Sequence, residues 1–302
     1  MTDGKNIPQI GIKSGLIKKV LNIRDNTKSN PENYVIAEGL WALEKAFENG
    51  LNPHFFLYCP ELTRSPESQI CAQKAVSLSR NAYQVSERAF RSLSERDQPD
   101  GLLGLVPLPR LRLEDLSPAP KALYAVTDGV EIPGNIGTIL RSIDGAGGNG
   151  FIVTNRRARL THPKVLKASL GSLFSVPVVE TDVPNAAAWL QEQGVTLYLL
   201  DSEAEAVIFE ARFPDRTAFI LGSERYGISK EWYAFPHQTV SIPMYGRCDS
   251  LNVAIAASLA LYQAAFQQRK RPVIQTSPKL ARGRKSVRID HEQDGIIDEI
   301  IQ

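Results

Sequence analysis

The chain of 302 residues is poor in the groups that build metal centres and disulfides. Its three cysteines, Cys59, Cys71 and Cys248, have no CxxC spacing, and its four histidines, His54, His162, His237 and His291, are scattered. Structural zinc sites and disulfide frameworks need clustered or paired ligands, so reduced thiols and no metal site are expected. No apolar run approaches the roughly 20 residues of a membrane span. The opening Met1-Thr2-Asp3-Gly4-Lys5 lacks the apolar core of a secretory signal, so the expectation is a cytoplasmic protein with no membrane partner. A large net charge is missing too, the balance being +2. What remains is 43% hydrophobic and 23% charged, the composition of a globular chain long enough for two domains.

The small net charge conceals segregation. Residues 269–288 carry eight basic side chains and no acidic one, and Asp290, Glu292, Asp294, Asp298 and Glu299 follow. Lys5, Lys13, Lys18, Lys19, Arg24 and Lys28 make the N-terminal stretch basic as well. An isolated basic run is most often a solvated tail, but both ends have the charge to meet phosphates.

Hydrophobic periodicity divides the chain in two. Up to residue 108 the pattern predicts strands over Tyr34–Ala37, His54–Cys59, Ala82–Val85 and Gly101–Val106. Between them it predicts helices over Gly39–Asn49 and Glu67–Arg80, and a short one capped by Ser86. This alternation predicts a small three-layer α/β domain. Pro107, Pro109, Pro118 and Pro120 mark residues 109–121 as a semi-rigid linker. From Ala122 the alternation resumes, with strands over Ala122–Thr127, Phe151–Thr154, Leu173–Val178, Thr196–Leu200, Thr217–Leu221 and Thr239–Ile242. Helices are predicted over Asn135–Ile143, Lys164–Leu170, Asn185–Gln193 and Leu251–Gln268. The second domain is thus 122–268, and 269–302 a basic, then acidic, tail.

Gly145-Ala146-Gly147-Gly148-Asn149-Gly150 matches GxGxxG, but in the wrong setting. A dinucleotide fingerprint follows a strand and opens a helix; here a helix precedes and a strand follows. No acidic residue lies about 20 positions on. A glycine-rich helix stop accounts for the segment, which weakens a Rossmann oxidoreductase reading.

Three other segments concentrate chemistry. In Asn135-Ile136-Gly137-Thr138-Ile139-Leu140-Arg141, Asn135 is a candidate helix N-cap, Gly137 admits a close neighbour, and Arg141 lies almost two turns on. Gly222-Ser223-Glu224-Arg225-Tyr226-Gly227 follows the apolar strand that ends at Leu221, where open α/β sheets bind ligands. Ser241-Ile242-Pro243-Met244-Tyr245-Gly246-Arg247-Cys248-Asp249-Ser250-Leu251-Asn252-Val253 is a Pro-broken loop running into a helix that opens on Ser250. It offers apolar walls and helix-start N–H groups that favour anions. Taken singly, each is also an ordinary capped helix or strand-to-helix turn.

Taken together and in this order, the three segments resemble the motifs of the SpoU (TrmH) family of SPOUT methyltransferases. The resemblance covers Leu123 to Ala265, and Ala37-Glu38-Gly39-Leu40 resembles that family's small substrate-binding domain. It implies a C-terminal trefoil-knotted α/β methyltransferase domain behind a smaller N-terminal α/β RNA-binding domain. It implies a homodimer whose site is completed across the interface. The implied activity is transfer of a methyl group from S-adenosyl-L-methionine to a ribose 2′-hydroxyl of RNA. Ribosomal RNA is favoured, with transfer RNA or a non-catalytic RNA-binding role as alternatives. The implied catalytic residues are Asn135, Arg141, Glu224, Ser250 and Asn252, and the implied cofactor residues are Leu221, Gly222, Ile242, Met244 and Leu251. Arginine, with a pKa above about 12, is a poor literal base. Arg141 is therefore expected at least to orient the hydroxyl or a neighbouring phosphate and stabilise developing alkoxide charge, the proton's acceptor being left open, with Glu224 holding Arg141 or the fold around it. Lys167, in Lys167-Ala168-Ser169-Leu170-Gly171-Ser172, is a candidate phosphate contact.

Overall fold

The computed structural model describes residues 7–116 and 119–269; the basic tail beyond Arg269 lies outside the described residues. The N-terminal half runs α1 (Gly15–Arg24), β1 (Tyr34–Glu38), α2 (Gly39–Glu48), β2 (Phe55–Tyr58), α3 (Pro66–Leu78), β3 (Asn81–Gln84), α4 (Glu87–Leu93) and β4 (Leu102–Pro107). Its sheet order is β1-β4-β2-β3, antiparallel except for β2 with β3. Alternation along β1 explains the layering: Val35 and Ala37 join one apolar cluster with α2 and α3, while Tyr34 and Ile36 join another with α1 and α4. Ser65 and Ser86 start α3 and α4 by accepting hydrogen bonds from Ser68 N and Ala89 N.

Helix α1 is not foreseen from the sequence, where its lysines drew attention instead. Ser14 caps it, and Ile17, Val20 and Ile23 form its buried stripe. Two of its cations are internally engaged: Lys19 pairs with Glu32, and Arg24 binds Asp25 and the Ser92 carbonyl.

The second half is β5 (Ala122–Asp128), α5 (Pro133–Ala146), β6 (Gly150–Thr154), α6 (Pro163–Ser169), α7 (Ser172–Ser175), β7 (Val178–Glu180), α8 (Val183–Glu192), β8 (Thr196–Leu200), β9 (Arg216–Leu221), β10 (Gln238–Val240) and α9 (Val253–Gln268). Six parallel strands lie in the order β10-β8-β9-β5-β6-β7. Leu123 and Ala125 of β5 face α5 and α9, whereas Tyr124 and Val126 pack with α8. Burial on both faces explains why these strands read as continuous apolar runs. Strand β10 is the sheet's edge strand, but the chain just past it is bonded on the opposite side. The strand pairs with β8 on one side, and Ser241, just past it, exchanges hydrogen bonds with Ala206 O (2.8 Å) and Ile208 N (2.9 Å) on the other.

Residues 109–116 are packed against the second half. Leu111 bridges Val179, and Leu113 and Leu116 are buried in the α8-side cluster. The two sheets share one apolar cluster, and Asn30 Nδ2 donates to Thr161 Oγ1 between the halves.

Several local expectations need correction. Leu173–Val178 is not one strand: Leu170 and Gly171 take left-handed φ values of 49° and 91°, α7 follows, and Pro177 delays β7 to Val178. A short apolar run fits a buried helical turn as well as a strand. Helix α5 starts at Pro133, so Asn135 sits in the first turn rather than at the cap. Helix α9 starts at Val253, because the Asn252 side chain caps it through Ala254 N at 2.9 Å, leaving Ser250 and Leu251 outside. The Gly145–Gly150 segment is a helix stop, with Gly147 as the left-handed C-cap at φ 62°.

Gly137 serves backbone packing. A Cβ there would stand 2.5 Å from Val165 O and 2.7 Å from Ala168 Cβ, on the helix crossed by α5. Gly137→Ala is therefore expected to force α5 and α6 apart and to lower unfolding free energy by about 1–3 kcal/mol. Urea denaturation of the variant beside the parent checks this.

Candidate active site

Leu200, Leu221 and Val240 end three adjacent parallel strands, and together they line a cleft of about 860 Å³. Its other walls come from the 222–227 loop, the 241–252 segment, and Val253 and Ala256 of α9. The carboxyl edge of a parallel sheet is where such a cleft is expected, since the connecting loops there are free to diverge. All five residues expected at a cofactor, Leu221, Gly222, Ile242, Met244 and Leu251, line it. The turn beneath Glu224 is closed by Ser223 N to Gly227 O (3.0 Å) and Gly227 N to Ser223 O (3.1 Å). Gly222 is required by its tight approach to that turn, as a Cβ would stand 2.1 Å from the Gly227 carbonyl carbon.

A hydrogen-bond chain ties the three motifs at one end of the cleft. Asn135 Nδ2 donates to Glu224 Oε1 at 2.6 Å, and Asn252 Nδ2 donates to Asn135 Oδ1 at 3.1 Å. Asn252 Oδ1 then accepts from Ala254 N, and Glu224 Oε2 accepts from Glu131 N. Glu224 thus holds Asn135, not Arg141. Ser250 lines the cleft and is exposed. Arg141 does not line the cleft; it is exposed and makes no hydrogen bond or ion pair among the described residues. Lys167 is exposed on α6, while its neighbours Ser169 and Ser172 are buried and bond Leu166 O and Asp144.

Two further carboxylates escape the sequence reading. Asp128 ends β5, is 2% exposed, and accepts from Thr154 Oγ1 (3.1 Å), Asn155 Nδ2 (2.7 Å) and Ser229 N (2.7 Å). It fastens the far side of the 222–229 loop to the sheet. A charged residue closing an otherwise apolar strand was the available signal. Asp201, just past β8, lines the cleft and accepts from Tyr233 Oη at 2.9 Å. Burial, then that hydrogen bond, pushes the Tyr233 phenol up to about 12, so it remains a donor to Asp201 across the neutral range.

The cleft suits an adenosyl sulfonium. Leu221, Ile242, Met244, Leu251 and Ala256 provide apolar wall, and Asp201, Glu203 and Glu224 place negative charge at the rim. Among the described residues no group of three or more His, Cys, Asp or Glu side chains could hold a metal ion.

The profile of the SpoU rRNA Methylase family matches residues 122–262, and that of the MRM3-like substrate binding domain matches residues 16–104. The crystal structure of an RNA 2′-O ribose methyltransferase superposes with a TM-score of 0.71 at 31% identity, covering 86% of this chain and 99% of that one. The chain belongs to the SpoU family. A curated relative, the 23S rRNA (uridine(2479)-2′-O)-methyltransferase of Streptomyces viridochromogenes, is 34% identical over 58% of this chain, an alignment that spans 64% of the relative. The SpoU methyltransferase AviRb of the same organism, solved with AdoMet, has a TM-score of 0.75 at 26% identity, covering 85% of this chain and 98% of that one.

Asp128→Ala would leave the Ser229 amide and the Asn155 side chain without their acceptor. The expected loss is about 2 kcal/mol of stability, measured by chemical denaturation. Faster amide exchange across 223–229 is expected to accompany it.

Proposed function

We propose that this SpoU-family chain methylates a ribose 2′-hydroxyl of RNA, with S-adenosyl-L-methionine as donor and ribosomal RNA as substrate. The observation that carries the proposal is the junction of Asn135, Glu224 and Asn252 at a cleft on the carboxyl edge of the parallel sheet. Bound there, S-adenosyl-L-methionine supplies a methyl group already activated on a sulfonium, so the protein's task is positioning and tuning of the nucleophile. Leu221, Ile242, Met244 and Leu251 enclose the adenosyl group, and Gly222 lets the backbone approach it. Asp201, Glu203 and Glu224 balance the positive charge of the donor. Asn135 and Asn252 hold the rim, and Ser250 orients the ribose. Residues 1–108 act as the RNA-binding domain, 109–121 as the connection, 122–268 as the methyltransferase domain and 269–302 as an RNA-contacting tail. The enzyme works in the cytoplasm; among the described residues no helix is long and apolar enough to cross a membrane.

Arg141 completes the site from a second copy. Supporting this, it stands outside its own chain's cleft, and the neighbouring helix α9 leaves Ile255, Leu259, Tyr262 and Phe266 exposed along one face. Spacings of four, three and four residues make a continuous apolar stripe suited to an isologous interface. In such a homodimer the Arg141 guanidinium binds the 2′-oxygen and stabilises the charge that develops there. A trefoil knot accompanies this arrangement. It is supported by β10 lying between β8 and residues 206–208, two limbs of one loop.

The test is incubation of the protein with methyl-labelled S-adenosyl-L-methionine and unmodified RNA fractionated by size. Label in large ribosomal RNA at one alkali-resistant linkage is the expected result; label only in transfer RNA would replace the substrate, and no transfer would overturn the activity. Arg141→Ala is expected to lower turnover roughly 100-fold or more while RNA binding persists. Leu259→Glu with Phe266→Glu is expected to give an inactive monomer by light scattering; a dimer that keeps its activity would refute the shared site.

A further inference from the structure

Two aromatic side chains flank the cleft without any structural use. Tyr245 is 95% exposed and Tyr226 is 73% exposed. Neither hydroxyl makes a hydrogen bond among the described residues. Ile255, Leu259, Tyr262 and Phe266 are also exposed, but along one face of α9. Tyr226 and Tyr245 instead stand on two separate loops, and both loops line the same cleft through their neighbours Ser223, Glu224 and Gly227, and Met244, Gly246 and Arg247.

The Tyr226 ring is carried by a closed turn. Tyr226 N donates to Ser223 Oγ at 2.9 Å, inside the turn closed by the paired Ser223 and Gly227 backbone bonds. Gly227 takes a φ of 68°, which lets that turn close directly behind the ring. Tyr245 follows Pro243 and Met244, which are half-buried in the cleft wall. Each tyrosine also has an arginine beside it. The Arg225 guanidinium lies 5.6 Å from the centre of the Tyr226 ring, and Arg247 is two residues from Tyr245 and lines the cleft. Neither arginine forms an ion pair among the described residues.

Exposed rings paired with uncompensated arginines are the chemistry that holds unpaired nucleotides. The rings offer π-faces to bases, and the guanidinium groups neutralise the adjoining phosphates or extend the stack. A ribose 2′-oxygen must approach within about 3–3.5 Å of the transferred methyl in a near-attack geometry. An unpaired nucleotide held at the mouth of the cleft, where these loops stand, presents its ribose to that position. We propose that Tyr226 and Tyr245, with Arg225 and Arg247, form the platform that grips the target nucleotide, stacking the unpaired bases at the cleft mouth. This rests on the methyltransferase reading and assigns its substrate side to four residues.

The experiment measures RNA binding apart from chemistry, using full-length protein. The probe is a fluorescein-labelled, mixed-sequence single-stranded oligoribonucleotide, followed by anisotropy. S-adenosylhomocysteine affinity is measured in parallel by calorimetry. Tyr226→Ala and Tyr245→Ala are each expected to weaken the oligonucleotide roughly tenfold, and the KM for unmodified large ribosomal RNA should rise with it. Tyr→Phe at either position, which keeps the ring, should restore binding to within about twofold by the same stacking argument. S-adenosylhomocysteine affinity should be unchanged in all four variants. Unchanged oligonucleotide binding in both alanine variants would overturn the platform. So would a parallel loss of S-adenosylhomocysteine affinity, which would assign the rings to the adenosyl pocket, or dissociation of the parent's oligomer, which would assign them to an interface. Weakened binding in the alanine variants of a protein that transfers no methyl group would sustain the platform and refute the enzymatic reading instead.

Discussion

The site depends on one side-chain amide. Asn135 donates to Glu224 and accepts from Asn252, so a single planar group joins the start of α5, the loop after β9 and the start of α9. These segments are remote in sequence, with 89 residues between the first pair and 117 between the second. Few residue types meet the requirement. An aspartate could not donate to Glu224, and a leucine could do neither job; a glutamine carries the same groups one methylene further out. Each bond contributes only about 1 kcal/mol net. The value lies in geometry: when one group satisfies a donor and an acceptor on two separate segments, both must adopt one arrangement for both bonds to form.

The rest of the fold keeps that group in place. Asn135 is only 8% exposed because α5 is clamped between α6 and α9, and that clamp requires Gly137 on one side and the Ser142–Ser258 hydroxyl contact (2.7 Å) on the other. Glu224 stays in reach because its turn is anchored twice, by the Ser223–Gly227 backbone pair and by Asp128 through Ser229 N. Asn252 spends its remaining oxygen on capping α9, so its nitrogen is left to face Asn135. The third motif is anchored at its start, where β10 pairs with β8 and Ser241 bridges Val207. On the sides formed by the 222–229 loop and the start of α9, the cleft is thus held by hydrogen bonds made before a ligand arrives, which is how a preorganised site limits ordering losses on binding.

Much of this was readable from the chain, and the exceptions share a cause. Buried parallel strands such as Ala218-Phe219-Ile220-Leu221 are apolar on both faces and bounded by turn residues, so they stand out. Ser65, Ser86 and Gly147 act through their own neighbours, and local capping rules find them. The errors arise where tertiary contacts decide. The run around Leu173 fits strand or helix until a left-handed Leu170 selects a helical turn. Asn135 looks like an N-cap because its bonding partners, Glu224 and Asn252, lie a domain's length away. Asp128 lies one residue beyond the predicted strand Ala122–Thr127, and nothing nearby reveals that Ser229 will fold back onto it. Helix α1 is obscured by Lys18, Lys19 and Arg24, which read as part of a basic stretch, although Ile17, Val20 and Ile23 already trace a stripe.

Helix α5 also imposes a geometric constraint on how the site is completed. Asn135 and Arg141 are six residues apart on one rigid helix, so their backbones differ by about 9 Å along its axis and by two-thirds of a turn around it. Asn135 is committed to its own cleft, and the helix cannot bend to bring Arg141 there as well. Under the proposed function, a guanidinium held at that offset would serve a reacting centre in a second cleft presented to it. The exposed stripe of α9, packed directly against α5, is the surface from which a second copy would be set in register, and Tyr262 couples the two helices because its hydroxyl fits where Gly145 lacks a Cβ. On the proposed reading, the residue that builds the cleft and the residue that acts on the nucleophile belong to one element and serve two clefts, which would make catalysis conditional on assembly.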